Sequence, residues 1–549
     1  MYSPWWGDER PASPSFASSA SMSKSFYITT AIDYTNGAPH IGHAYEKVLA
    51  DTLARYHRFA GREVYFLTGV DQHGQKVQQS AEKEGVPPAE FAERTAGLFV
   101  SLWEQLAVCY DGWAATTDPR HQLSVQRALT QLHAQGQLYK KGYRGFYSVR
   151  QEQFLTDKER GPDGQFGPEW GEVVELEEEN WYFRLTDHVG WLRDYVRNRA
   201  DCVVPSFRRQ ELVQALEKTE SADLCISRPK ARLQWGIELP FDPDFVNYVW
   251  FDALMNYISF AGYLAEPGSG LPEFDSLWPA DAQIIGKDIL VPPHGIYWLT
   301  MLHALGFPDD KMPRLVVHGW WNLRGKEGQS EKMSKSLGNV VDPVELAERF
   351  SADGLRYYLM RDIATGHDAD FSSDRVLARY NADLANDLGN LANRTLNMTR
   401  RYREGVVRPG GYDDDLCRDL RAMGDETRHV YAEAMESFTP HAALEAVWRW
   451  VGTANQFAEK CAPWALAKDP AQADRLDAVL YHLAETVAEV SLLVAPVMPK
   501  AATKLMDQLQ LDPAARTTRL PDLRWGLVPG GHAVGQPEPV FPRLDVATQ

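Results

Sequence analysis

Near its start the chain passes from a strand to a helix through a short loop, and few folds accommodate what that junction carries. Phe26-Tyr27-Ile28-Thr29-Thr30-Ala31-Ile32 is rich in β-branched and aromatic residues and reads as a strand. Asn36-Gly37-Ala38-Pro39 is a loop signal. Ile41, Tyr45, Val48, Leu49 and Leu53 then recur at helical spacing until Gly61 ends the run. His40 and His43 therefore sit where a strand delivers the chain to a helix N-terminus. Free backbone N–H groups and the positive end of the helix dipole converge there, which suits a phosphate. Gly42 lets the backbone approach a ligand closely, and two imidazoles one turn apart face the same guest. Histidines at such a place also serve as caps or core residues, so the pair needs support from elsewhere in the chain.

A second strand, Glu63-Val64-Tyr65-Phe66-Leu67, runs into Thr68-Gly69-Val70-Asp71-Gln72-His73-Gly74 and then a polar helix. This alternation over 25–117 predicts a parallel sheet. Asp71, at a strand's carboxyl end, suits either a ligand or an N-cap. Residues 118–240 are rich in aromatics and acids, among them Glu175, Glu177, Glu178 and Glu179, and read as an insertion. The α/β pattern returns over 241–325, with Tyr248-Val249-Trp250-Phe251-Asp252-Ala253 and Gln283-Ile284-Ile285-Gly286-Lys287-Asp288. Trp250 and Tyr257 share a helix face, as core or as pocket.

The loop Glu331-Lys332-Met333-Ser334-Lys335-Ser336-Leu337-Gly338-Asn339 lies between the strand-like Leu315–His318 and a helix from Asp342-Pro343. Its two lysines are point charges on long stems, suited to clamping a polyphosphate. Over 378–549 the pattern is almost wholly helical and reads as a bundle. Asn390 and Arg394 share one of its faces, and Arg394, Arg400, Arg401 and Arg403 form a basic strip that suits RNA or a helix C-terminus.

At 549 residues the chain is too long for one core. Its net charge of −18 argues against holding nucleic acid through the bulk field, so an RNA partner must be met by a local basic face. No apolar run is long enough to span a bilayer. Cys109, Cys202, Cys225, Cys417 and Cys461 are scattered, which implies reduced thiols in a cytosolic compartment. Residues 1–24, rich in Ser, Ala and Pro, read as a disordered extension, with Met22 an alternative start.

His40-Ile41-Gly42-His43 and Lys332-Met333-Ser334-Lys335-Ser336 resemble, in this order, the two signature motifs of class I aminoacyl-tRNA synthetases. Ala31-Ile32-Asp33-Tyr34-Thr35-Asn36-Gly37, Tyr248–Ala253, Gly286-Lys287-Asp288-Ile289 and Cys461-Ala462-Pro463-Trp464 narrow the resemblance to methionyl-tRNA synthetases, over about residue 25 to the end. It implies an α/β Rossmann-type catalytic domain (25–117 and 241–325) with an inserted connective-peptide domain (118–240). A lysine-loop and stem-contact region (326–377) and an all-α helix-bundle anticodon-binding domain (378–549) follow. The implied activity is methionine–tRNA ligase: L-methionine and ATP give methionyl-adenylate and pyrophosphate, and the methionyl group passes to its tRNA. The resemblance implies that His40, Gly42, His43, Gly286, Asp288, Lys332, Ser334 and Lys335 bind ATP. His40, His43, Lys332 and Lys335 would assist the chemistry. Ile32, Tyr34, Trp250, Tyr257, His294 and Trp298 would hold the methionine side chain, Asp71 its amine and Arg228 its carboxylate. Asn390, Arg394 and Trp464 would read the anticodon. The implied partners are elongator and initiator methionine tRNA, with Mg²⁺ accompanying ATP, in a cytoplasmic monomer without membrane contact.

Two stretches depart from the family pattern. Its members often carry zinc knuckles in the insertion, but here Ser148, Gln151, Gly167 and Trp170 stand at the ligand positions. These residues cannot build a tetrahedral zinc site, so no structural zinc is expected. Val291-Pro292-Pro293-His294 carries a proline pair where a phenylalanine usually precedes the histidine.

Overall fold

The computed structural model describes residues 24–148, 153–155, 157–161, 163–218, 222–324, 330–332 and 341–545. Gln151, Ser334 and Lys335 lie outside the described residues, as does the expected extension up to residue 23. Of Lys332 only the backbone is described.

The strand expected at the start is β1 (Phe26–Thr30), followed by β2 (Asp33–Tyr34), helix α1 (Ile41–Phe59), β3 (Val64–Asp71) and β4 (Gly112–Ala115). β2 and β4 both pair in parallel with β3. β3 runs through Gly69, which by itself reads as a break. A Cβ there would lie 1.9 Å from the Ala114 carbonyl oxygen, so the glycine is what admits β4 beside it.

The segment expected to be inserted holds β5 (Leu138–Ser148), β6 (Gln153–Leu155) and β7 (Val173–Phe183). β5 and β7 pair antiparallel from Leu138↔Phe183 to Ser148↔Val173. Glu175, Glu177 and Glu179 fall on one face of β7 by the two-residue period of a strand, and Arg144 stands opposite Glu177. β8 (Val203–Val204) lies within the same segment but pairs with the main sheet. β9 (Leu224–Cys225) rejoins β7. A small antiparallel sheet follows, built from β10 (Ser227–Pro229), β11 (Glu238–Leu239) and β12 (Asp242–Asn247).

β13 (Ala282–Gly286) then pairs in parallel with β1, and β14 (Leu315–His318) with β13, giving the order β2-β3-β1-β13-β14-β8 with β4 also on β3. The connections leave β1 toward β3 on one side and β13 on the other, so the crevice of an open parallel sheet falls at the carboxyl ends of these strands. Beyond it, β15 (Trp321–Arg324) pairs with β16 (Ser330–Lys332) and β17 (Ala369–Phe371). From Ser373 on, helices dominate, including Asn390–Arg403, Asp415–Glu436, Pro440–Cys461 and Ala473–Val494. One core runs from Ile28 and Phe66 in the sheet to Leu391, Val447 and Leu483 in the bundle. Fully buried Arg356 ties the two parts together. It pairs with Asp51 of α1 at 2.7 Å and donates to the Val497 and Pro496 carbonyls.

Candidate active site

A cleft of about 1700 Å³ opens at the carboxyl end of the sheet. Small-molecule pockets are typically ~300–1,000 Å³, so this one has room beyond a single small substrate. It gathers His40, Gly42, His43, Gly286 and Asp288, expected at a nucleotide. It also gathers Ile32, Tyr34, Asp71, Arg228, Trp250, Tyr257 and His294, expected at an amino acid.

His40 is the N-cap of α1. Its Nδ1 accepts the Gly42 N–H at 3.1 Å, and the Nδ1 of His43 accepts the His40 N–H at 3.0 Å. The rings lie against each other with centroids 3.8 Å apart and planes tilted by 31°. A Cβ on Gly42 would lie 2.9 Å from the His40 ring, so no side chain fits between ring and helix. Val341, which follows the lysine-bearing loop in sequence, meets this helix end. Lys332 pairs with Asn322 in the β15–β16 ladder, and the Val341 carbonyl, past the undescribed residues, accepts the Ile41 N–H at 3.3 Å.

Asp288 accepts the Trp320 indole N–H at 3.1 Å. Lys287 lies over the same indole and pairs with Asp368. Two further polar residues of the cleft escaped the sequence reading. Glu46 pairs with His318 at 3.1 Å and with Lys47 at 2.8 Å, and fully buried Lys47 also reaches Asp33 at 2.7 Å. Burial raises the Glu46 pKa, but the Lys47 charge and the His318 hydrogen bond outweigh it and hold the carboxylate below its usual range. The available signals were modest. Glu46 stands one turn after His43, and His318 ends a strand of the parallel sheet.

The other end of the cleft is aromatic. Tyr257 donates to His294 Nε2 at 2.8 Å, and His294 Nδ1 donates to the Ile289 carbonyl at 2.8 Å. A carbonyl only accepts, so the neutral ring carries its proton on Nδ1. Burial pushes the His294 pKa down to about 4, so the ring stays neutral at physiological pH. The departure at Val291 has a local cause. Val291 leaves the helical region, and the helix restarts through the prolines with His294 turned to Tyr257. Trp298 lies fully buried one layer behind Tyr257 and donates to Gln283 at 3.0 Å. Arg228, 3% exposed, stacks over Tyr248 at 4.3 Å and donates to the Ser227 carbonyl. Asp71 ends β3, and the following helix is capped by Gly74, which removes the N-cap alternative.

Away from the cleft, Arg394 lies over the Trp464 ring at 5.5 Å and pairs with Glu459 at 2.7 Å, while Asn390 is exposed on the same helix. The basic strip is partly neutralised, since Arg403 also pairs with an acid, Asp477. In the insertion, Ser148 Oγ donates to the Trp170 carbonyl at 2.5 Å. Among the described residues, Asp413, Cys417 and His482 bring three metal-ligand types together; Arg421, however, already bridges His482 Nε2 and Asp413, so the place of a cation is taken. Among the described residues no helix is long and apolar enough to cross a membrane.

Comparison with known proteins bears on both halves. A family model described as tRNA synthetases class I (M) matches residues 26–164 and 170–396. Another, described as the anticodon binding domain of methionyl tRNA ligase, matches residues 406–548. The methionine–tRNA ligase of Caldanaerobacter subterraneus subsp. tengcongensis is 40% identical over 96% of this chain and 80% of its own. That of Brucella suis biovar 1 is 41% identical over 94% of this chain and 98% of its own. A crystal structure of the Mycobacterium tuberculosis methionyl-tRNA synthetase bound by methionyl-adenylate superposes with a TM-score of 0.87. It is 37% identical and covers 94% of this chain and 100% of that one.

Proposed function

The chain belongs to the methionyl-tRNA synthetases of class I, and on that premise we propose how its residues divide the work. It activates L-methionine with ATP to methionyl-adenylate and pyrophosphate, then transfers the methionyl group to the 3′-terminal ribose of methionine tRNA. The observation that carries the residue assignment is a single cleft holding both paired histidines, Asp288 and the Tyr257–His294 pair. ATP–pyrophosphate exchange measured with each amino acid tests it: methionine alone should stimulate exchange strongly, and equal stimulation by another amino acid would overturn it.

Activation is an in-line attack of the methionine carboxylate on the α-phosphate. It needs positioning and charge neutralisation more than proton transfer. In our reading, His40 and His43 donate from Nε2 to the phosphates, because both Nδ1 atoms are engaged by backbone N–H groups. Lys332, Ser334 and Lys335 stabilise the pyrophosphate as their loop closes. Gly286 and Asp288 hold the ribose, and the carboxylate's bond from the Trp320 indole supports a fixed orientation. Ile32, Tyr34, Trp250 and Tyr257 enclose the thioether with His294. Trp298 supports Tyr257 from behind. Asp71 takes the amine and buried Arg228 the carboxylate.

Mg²⁺ arrives with ATP as part of the substrate complex. The insertion, read as residues 118–240, carries no structural zinc: Ser148 spends its hydroxyl on the Trp170 carbonyl, and neither offers a thiolate or imidazole. Arg394, Trp464 and Asn390 read the anticodon, a guanidinium and an amide for base edges beside an indole for stacking. The enzyme serves elongator and initiator tRNA as a cytoplasmic monomer.

A further inference from the structure

Asp252 is completely buried, and it is the meeting point of three cleft walls. Its Oδ2 accepts from His73 Nδ1 at 2.7 Å and its Oδ1 from His121 Nε2 at 2.8 Å. His121 Nδ1 in turn lies 2.7 Å from Ser259 Oγ. Each partner comes from a different element. His73 stands in the turn that follows Asp71. Asp252 shares the helix α2 (Val249–Leu254) with Trp250. Ser259 shares the next short helix, Asn256–Ser259, with Tyr257. His121 reaches in from the helix Pro119–Ala134 behind them.

The order Ser259–His121–Asp252 is that of a hydrolase triad, but Ser259 and His121 are each 1% exposed, so no substrate reaches them. A buried carboxylate is costly to desolvate, and an apolar cluster of the same volume would stabilise the fold as well or better. What this arrangement adds is direction. The carboxylate is the acceptor for two N–H donors, which sets both ring orientations. The His73 turn is also held from its far side. The Trp235 ring packs edge-on against His73 at 5.5 Å, and its indole donates to the Gln72 carbonyl. Burial raises the Asp252 pKa, while the His73 charge and the bonds from both histidines bring it below the usual range, so the acceptor stays ionised.

We propose that Asp252 is a positioning residue for the amino acid: through His73 and His121 it sets the spacing between the Asp71 wall and the Trp250–Tyr257 wall of the methionine site. This rests on the assignment of Asp71, Trp250 and Tyr257 made above. The bonds of Asp252 run to His73 and His121, beside the amino-acid end of the cleft, whereas His40, His43 and Asp288 line the nucleotide end, so the two substrates should respond differently. A misplacement of about 1 Å at a reacting group costs on the order of a hundred-fold in rate, and a smaller shift spread over a binding wall should appear mainly in KM.

The test is ATP–pyrophosphate exchange on the full chain carrying Asp252→Asn, whose amide meets one imidazole N–H with another N–H. The expected result is a KM for methionine raised about ten-fold with the KM for ATP changed less than about two-fold. Should that variant not fold, His73→Ala and His73→Asn replace it. The asparagine amide restores a donor near the Nδ1 position, so alanine should raise the KM for methionine about ten-fold and asparagine should recover most of it. The proposal is overturned if these variants lower Tm while leaving both KM values within about two-fold, or raise both equally. Asp71→Asn and Trp250→Ala run alongside: if they too leave the KM for methionine unchanged, the assignment of the site itself fails, not merely the network.

Discussion

His43 accepts the backbone N–H of His40 through Nδ1 at 3.0 Å, so the second histidine of the motif caps the first. His40 does the same for Gly42. Both Nδ1 lone pairs are thereby committed to backbone, and each neutral ring carries its proton on Nε2. The helix N-terminus thus presents imidazole N–H donors in addition to its own amides.

This separates two roles that one substitution would confuse. His43→Asn keeps an acceptor near Nδ1 but loses the distal donor, whereas His43→Gln keeps a donor near Nε2 and loses the cap. The expected outcome is a fall in kcat for methionine activation of roughly 10²–10³ with Asn, and a clearly smaller fall with Gln. Pyrophosphate exchange measures both, and equal losses would contradict donation from Nε2.

His294 should make the fold acid-sensitive. Burial lowers its pKa from 6.5 to about 4. Between those values the unfolded chain binds a proton that the folded chain refuses. The contribution to stability is therefore complete above pH ~6.5 and is lost as pH falls toward 4, by at most about 3 kcal/mol. Urea unfolding at pH 7 and pH 5 should show a shallower loss for His294→Gln than for the unaltered protein. Identical pH slopes would exclude this residue as a source.

Trp464 is 37% exposed with Arg394 over its ring. Base stacking is worth about 1–3 kcal/mol, so Trp464→Ala should raise the KM for tRNA roughly 5- to 150-fold while methionine activation without tRNA is unchanged. Arg394→Ala should act in the same direction. A defect in activation instead would move these residues out of anticodon reading.

Ser148 joins two segments of the insertion by its bond to Trp170. Chelation with EDTA should leave Tm unchanged, and Ser148→Ala should cost about 1 kcal/mol, the worth of one hydrogen bond. Metal analysis of the pure protein finding stoichiometric zinc would refute the zinc-free reading.

Much of the site was legible because its signals are local. The histidines, the strand end at Asp71 and the Asp342 cap of the helix Pro343–Phe350 each follow from a few neighbouring residues. Gly69 was not legible as strand, because the reason for it, the Ala114 carbonyl, lies in another strand. Trp298 reads as pocket wall by resemblance, and only packing puts it behind Tyr257. Glu46 carries no local mark of its role, because His318, which pairs with it, lies far along the chain in another element.

By itself, the sequence determined a parallel α/β sheet with a phosphate-suited helix end, a helical C-terminal region, and the two motifs that name the family. Hydrophobic period and turn chemistry are written within a few residues of one another, so they survive without coordinates. Only the tertiary structure decided which nitrogen of each histidine carries its proton and which carboxylates are buried in partnership. A polar group's protonation depends on what surrounds it, and its neighbours here come from far along the chain.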